Sequence, residues 1–228
     1  MWIDWPYIVL VVPMLIISLW AQIKVKSTYQ KYSSVYSRSG MTAEMAVRKI
    51  LDSNGLFHVG ITRVPGELTD HYDPRSNTIA LSDSVYGSTS VAAIGVAAHE
   101  AGHAIQHAVG YGPIKLRTAL VPVTNIGSRL SMPLFIIGLL LANQPLAYAG
   151  IILFSLTVVF QLVTLPTEFN ASYRAVKALE GGYFNDEELK GTKKVLSAAA
   201  MTYLAALFVA LASLLRLLLI VNGGRRRD

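Results

Sequence analysis

The chain contains no cysteine. Disulfides are excluded, and so is any thiolate metal site, which leaves histidine and carboxylate to hold a transition metal. Charge is scarce as well: 15% of the 228 residues are charged against 53% hydrophobic, a balance that points to a membrane protein. No basic residue precedes the first apolar run, "WPYIVLVVPMLIISLW" at 5 to 20, whereas Lys24 and Lys26 follow it. A secretory signal peptide has the reverse pattern, so this run is expected to be an uncleaved anchor with its N-terminus outside. The formal charge is +6, but the basic residues flank apolar runs without interleaved aromatics. That pattern argues against a nucleic-acid partner and reads as a topology signal.

Three more apolar stretches follow. The second covers about 119 to 142 and the third 146 to 165, with "NQP" at 143 to 145 as the break, which predicts a tight helical hairpin across the bilayer. The last runs from about 195 to 221. Four spans leave two polar segments on one side, 23 to 118 with 10 Lys and Arg, and 166 to 194 with 5. Both are expected to be cytoplasmic. The tail residues Arg225, Arg226 and Arg227 oppose that orientation. A final segment that bends back would reconcile them, because about 27 apolar residues containing Arg216 exceed the roughly 20 that a span needs.

Between the first two spans the pattern turns globular. "SGMTAEMAVRKILDSNGL" reads as a short amphipathic helix with Thr42 as N-cap and Asn54-Gly55 closing it. Extended segments are expected around 57 to 64 and 68 to 82, where "DPRSN" has turn chemistry. A helix beginning after Ser90 carries "VAAIGVAAHEAGHAIQHAV" and stops at Gly110.

That last helix holds the pattern with the most chemistry. Residues four apart share a helix face, so His99 and His103 can aim ring nitrogens at one point, with Glu100 beside it. A chance His-Glu-x-x-His at this composition arises in about 0.3% of chains. Two imidazoles buried in an apolar helix need partners, because unsatisfied they cost several kcal/mol. A metal ion satisfies both, whereas the bland alternative is a core helix with hydrogen-bonded histidines. Catalytic zinc takes three protein ligands and water. His107 is about 12 Å along the helix from His99 and cannot share an ion with it. Glu180, Glu187 and Glu188 lie in a charged connector and read as solvated surface. Glu168, the one acid between Glu100 and Glu180, directly follows the third span in "LPTEFNASYRAVKALEGG", with Pro166 as an expected first-turn residue. It is the candidate third ligand; an interfacial charge paired with Arg174 is the competing reading.

The segments "LTDHYDPRSNTIALS", "HEAGHAIQHAVGY", "LVPVTNIGS" and "QLVTLPTEFNASYRA" together resemble the YugP-type neutral zinc metallopeptidases, bacterial membrane proteins, over essentially the whole chain. More distantly, a His-Glu-x-x-His helix followed by a glutamate helix resembles the gluzincin membrane proteases, including the HtpX-type and CAAX prenyl proteases. Their later motif, Glu-x-x-Ala-Asp, places Glu168 at the ligand position and Ala171 at the alanine, with Ser172 where the aspartate stands. Ser172 can still hydrogen-bond a ligand histidine.

The resemblance implies a mainly α membrane protein of about four transmembrane helices with a small α+β zincin-like domain at the membrane surface. The expected divisions are an anchor (1–22), a catalytic segment (23–118), a hairpin (119–165), a helix with the third ligand (166–194) and a C-terminal span with its basic tail (195–228). The expected cofactor is one Zn2+ per chain on His99, His103 and Glu168, with Glu100 as general base for peptide hydrolysis. His71, Tyr111, Tyr173 and Arg174 are chemically able to stabilise an oxyanion. In gluzincin-like folds the strand before the motif helix lines the cleft, so a polypeptide substrate is expected to add along the free edge of Asn77 to Leu81. The expected location is the bacterial inner membrane with a cytoplasmic active site. The competing functions are a zinc hydrolase of a non-peptide amide and a membrane scaffold or chaperone-like adaptor with structural zinc.

Overall fold

In hydrocarbon a backbone must satisfy its own hydrogen bonds, and four stretches of this chain do so as long helices. A computed structural model describes residues 4–224; the basic tail at Arg225, Arg226 and Arg227 lies outside them. The elements in chain order are α1 (Val12–Ser33), α2 (Ala43–Ser53), β1 (Gly60–Val64), β2 (His71–Asp73), β3 (Thr78–Ser82), α3 (Val91–Ala108), α4 (Gly112–Leu140), α5 (Gln144–Glu180) and α6 (Asp186–Gly224). A π turn at Tyr7–Val11 leads into α1. The helix over Tyr7–Ser33 and helices α4, α5 and α6 are each long and apolar enough to cross a membrane. The protein is a mainly α membrane protein with a small α+β domain.

The described residues divide into two compact units, one of residues 4–21, 115–165 and 201–224, the other of residues 22–114 and 166–200. In the first, α4 and α5 form a hairpin whose backbones approach closely at Gly150, where a Cβ would stand 2.6 Å from the Ser131 carbonyl oxygen. Small residues at such a crossing are what lets helices pack without a hydrophobic drive. Asn143 Oδ1 caps the start of α5 by accepting from the Leu146 amide at 3.1 Å.

Arg216, a charge that a span carries only with a partner, donates to Asp4 at 2.9 Å and lies over the Tyr7 ring, 4.9 Å from its centroid. Helix α6 is continuous through this point, so the expected bend back does not occur. Its surplus length is accounted for by residues 186–200, which belong to the other unit. Asp4 with Arg216, and Tyr148 with Asn222 at 2.8 Å, place the start of the first span, the start of α5 and the end of α6 on one face.

The second unit is built around α3. Helix α2 buries Ala43, Ala46, Val47, Ile50 and Leu51, the i, i+3, i+4, i+7, i+8 stripe of an amphipathic helix, in the core that also holds Ile94, Ala97 and Ala98 of α3. Thr42 stands at the N-cap, but its hydroxyl makes no cap bond. Arg48 closes the turn after α2 by donating to the carbonyls of Val59 at 2.7 Å and Leu56 at 2.8 Å.

The strands pair in the order β1-β3-β2. Strand β3 is parallel to β1, with Gly60 opposite Thr78, and antiparallel to β2, with His71 opposite Ala80. Both its edges are therefore occupied, and the expected addition of a substrate strand along Asn77–Leu81 is ruled out. Pairing with β1 across a long connection is the reason, since local pattern does not reveal it. In the β2–β3 turn, Asp73 accepts from the Arg75 amide at 2.9 Å and the Ser76 hydroxyl at 2.8 Å. Asp70 locks β2 to the end of β3, accepting from the Ser82 amide and hydroxyl, both at 2.8 Å.

Two further expectations change. Pro166 begins no helix; it sits inside α5, because losing one amide donor is less costly than breaking the helix where it leaves an apolar segment. Glu188 is buried, not solvated. It accepts from the amide of Asn185, whose side chain in turn accepts from the Glu188 amide, a reciprocal cap for α6, and it accepts from the Arg38 amide at 2.7 Å.

Helices α3 and α5 touch at Gly102, where a Cβ would lie 2.6 Å from the Ala171 carbonyl oxygen. Gly102→Ala is therefore expected to lower the thermal unfolding midpoint in detergent by several degrees. Overpacking of about 1–3 kcal/mol outweighs the helix-propensity gain of about 1 kcal/mol. A midpoint that stays level or rises would refute the backbone contact.

Candidate metal centre

Ser90 starts α3 by accepting from the Ala93 amide at 3.2 Å, and the helix that follows is apolar on nearly every side. Its buried residues run from Val91 to Ala98 with Val96 alone half-exposed. This register presents His99 and His103 one above the other, their rings edge to face with centroids 4.7 Å apart. Both Nε2 atoms turn to one oxygen of Glu168 on α5: Oε2 lies 3.2 Å from His99 and 3.6 Å from His103. Donor atoms around a tetrahedral zinc, bound at about 2 Å each, stand about 3.3 Å apart.

The group can hold a metal ion, its three ligand atoms all lying within 4.8 Å of one another. Its chemistry fits zinc: two imidazole nitrogens and one carboxylate oxygen, with no thiolate. Glu168 is 2% exposed, and a carboxylate so deeply buried requires a cation or strong donors. The field at the site is negative. Burial by itself disfavours charge on His103, yet the Glu168 carboxylate beside it and the negative charge of Glu100 outweigh that and raise its pKa above the ordinary histidine value.

Each imidazole is held from behind. His99 Nδ1 meets the Ser172 hydroxyl at 3.1 Å, the contact expected of Ser172 from the sequence. His103 Nδ1 meets Gln106 Oε1 at 3.0 Å. Gln106 Nε2 donates to the Thr167 carbonyl at 2.8 Å and to Asn170 Oδ1 at 3.0 Å, and Arg174 Nε donates to the same Asn170 oxygen at 2.8 Å. The sequence pattern alone does not single out Gln106 or Asn170. A signal for Gln106 exists: it is a polar residue three positions after His103 on an otherwise apolar helix.

The other candidates fall in different places. Glu100 is buried on α3 between the two histidines, and its charge acts on His103. It acts also on Asp70, whose pKa is raised chiefly by burial, against the hydrogen bonds from Ser82. Arg174 is engaged by Asn170 rather than by Glu168. His71 is exposed on the sheet edge, with Nδ1 2.9 Å from the Thr69 carbonyl oxygen, and Tyr173 is 64% exposed. Tyr111 donates to the Pro166 carbonyl at 3.4 Å. His107 packs against the Tyr72 ring, centroids 5.5 Å apart, outside the metal group.

The family described as "Putative neutral zinc metallopeptidase" matches residues 7–222. The chain is 49% identical over 220 residues to the "Putative membrane protease YugP" of Bacillus subtilis (strain 168), an alignment covering 96% of this chain and 98% of that protein. No solved structure matches. With the match running from the first apolar helix to the last, the chain belongs to this zinc metallopeptidase family.

Proposed function

We propose that the protein is an integral membrane metalloendopeptidase that hydrolyses peptide bonds of membrane-associated or membrane-proximal polypeptides, with His99, His103 and Glu168 as ligands of one zinc and Glu100 as general base. The observation that carries this reading is the convergence of one buried carboxylate oxygen on both histidine Nε2 atoms, on a helix that places Glu100 between them. When bound, zinc supplies Lewis acidity and lowers the pKa of water at its open position. Glu100 takes the proton from the attacking water and passes it to the leaving amine. Ser172 and Gln106 keep the two rings oriented. The exposed His71 and Tyr173 are left as oxyanion donors.

Three protein donors among the described residues favour this reading over a structural zinc scaffold, which would use four. Membership in a metallopeptidase family favours peptides over other amides. Substrate main chain is assigned to the outer edge of β2, the edge strand that packs against α3. The site is assigned to the cytoplasmic side of a bacterial cell membrane, on the strength of the 15 Lys and Arg in residues 23–118 and 166–194.

Glu100→Gln is expected to reduce cleavage of a model polypeptide by at least about 100-fold while zinc content stays near one per chain; cleavage at the native rate would remove Glu100 from the mechanism. Glu168→Ala is expected to leave the purified protein well below stoichiometric zinc, and a fully loaded variant would transfer the third-ligand role elsewhere. The absence of native cysteine allows a direct topology test with single cysteines at the exposed positions Arg75 and Gln144. An impermeant reagent applied to intact cells is expected to label position 144 only, and labelling at 75 alone would invert the orientation.

A further inference from the structure

Zinc requires the unprotonated Nε2 of each histidine, so whichever tautomer the protein enforces decides whether the ligand is ready. At His103 the contacts within hydrogen-bond distance decide it, because Nε2 lies 3.6 Å from Glu168 Oε2, too far to donate to it. A guanidinium only donates, so the Asn170 amide must turn its oxygen to Arg174 Nε, 2.8 Å away. A carbonyl only accepts, so the Gln106 amide must turn its nitrogen to the Thr167 oxygen at 2.8 Å. That nitrogen also reaches the Asn170 oxygen at 3.0 Å, which is consistent only with the Asn170 orientation already set. The remaining atom of the Gln106 amide, Oε1, faces His103 Nδ1 at 3.0 Å, and an oxygen there accepts. Gln106 is completely buried, so no water substitutes for these partners.

We infer that Gln106 is a positioning residue: held by Thr167, Asn170 and Arg174, it forces the neutral His103 ring to carry its proton on Nδ1 and present a free Nε2 to the metal. His99 differs, because the Ser172 hydroxyl at its Nδ1 can donate or accept and imposes no tautomer by itself. The assignment gives Arg174 a role acting through Asn170 and Gln106, at a distance from the reacting atoms. It rests on the zinc-peptidase reading only for its purpose; the tautomer itself is a property of the protein without metal.

The experiment uses full-length protein in detergent. Nitrogen-15 spectra of histidine-labelled, zinc-free protein, recorded over a series of rising pH, are expected to show the singly protonated His103 ring as the Nδ1–H form. An Nε2–H form overturns the inference whether or not zinc binds. Zinc affinity is then measured by chelator competition. Gln106→Leu removes the acceptor and is expected to weaken affinity about 10–100-fold. Gln106→Glu keeps an acceptor facing His103 but loses the donor to Thr167 and Asn170, and is expected to lose less affinity than Gln106→Leu. Native affinity in Gln106→Leu, or equal losses in both variants, would show that Gln106 merely fills space. Failure of the native protein to bind zinc, with the Nδ1–H form present, would overturn the metallopeptidase reading and leave the tautomer assignment standing.

Discussion

Everything at the metal group depends on how closely α3 and α5 approach. Gly102 lies between His99 and His103 on one helix, and Ala171 lies between Glu168 and Ser172 on the other. The point of backbone contact is thus bracketed by the two histidines on one side and by Glu168 and Ser172 on the other. A larger residue at position 102 would meet the Ala171 backbone and push the helices apart. A carboxylate now 3.2–3.6 Å from two imidazoles would lose its reach to both. The small residues of the "HEAGH" stretch are therefore part of the site's geometry as much as its histidines are.

Several charged and amide groups in this apolar chain are placed in reciprocal or closed arrangements. Asn185 and Glu188 cap each other's end of α6 while Glu188 also secures the loop after α1. Asp70 takes both donors of Ser82, and Arg216 is matched by Asp4 and Tyr7. Leaving a buried charge unpartnered is costly, and these residues come with their partners. The metal group is the exception in kind: its buried carboxylate and two imidazoles share a negative field, an arrangement that calls for a cation.

Much of this architecture is legible in the order of residues. The apolar runs mark the four long helices because length and hydropathy decide spanning segments. Ser90 marks the start of α3, and the four-residue spacing of His99 and His103 puts their rings on one face. Glu168 stands out through its isolation between Glu100 and Glu180. What escapes a local reading is long-range. The parallel pairing of β1 with β3 has no local signature, so β3 reads as having a free edge that the fold denies it. Pro166 reads as a helix start because local preference cannot register that α5 continues from an apolar segment. Glu188 looks solvated in a charged connector, since its partner Arg38 lies 150 residues away. Gln106 does not stand out because its partners, Thr167 and Asn170, come from a helix more than 60 residues on.

The separation of 69 residues between His99 and Glu168 has a consequence for biosynthesis. As the chain leaves the ribosome, the histidine helix emerges first, and α4 and the apolar part of α5 are made before the carboxylate. Until then the nascent polypeptide has His99 and His103 without Glu168. The three-membered group therefore cannot assemble until the whole helical hairpin has been synthesised.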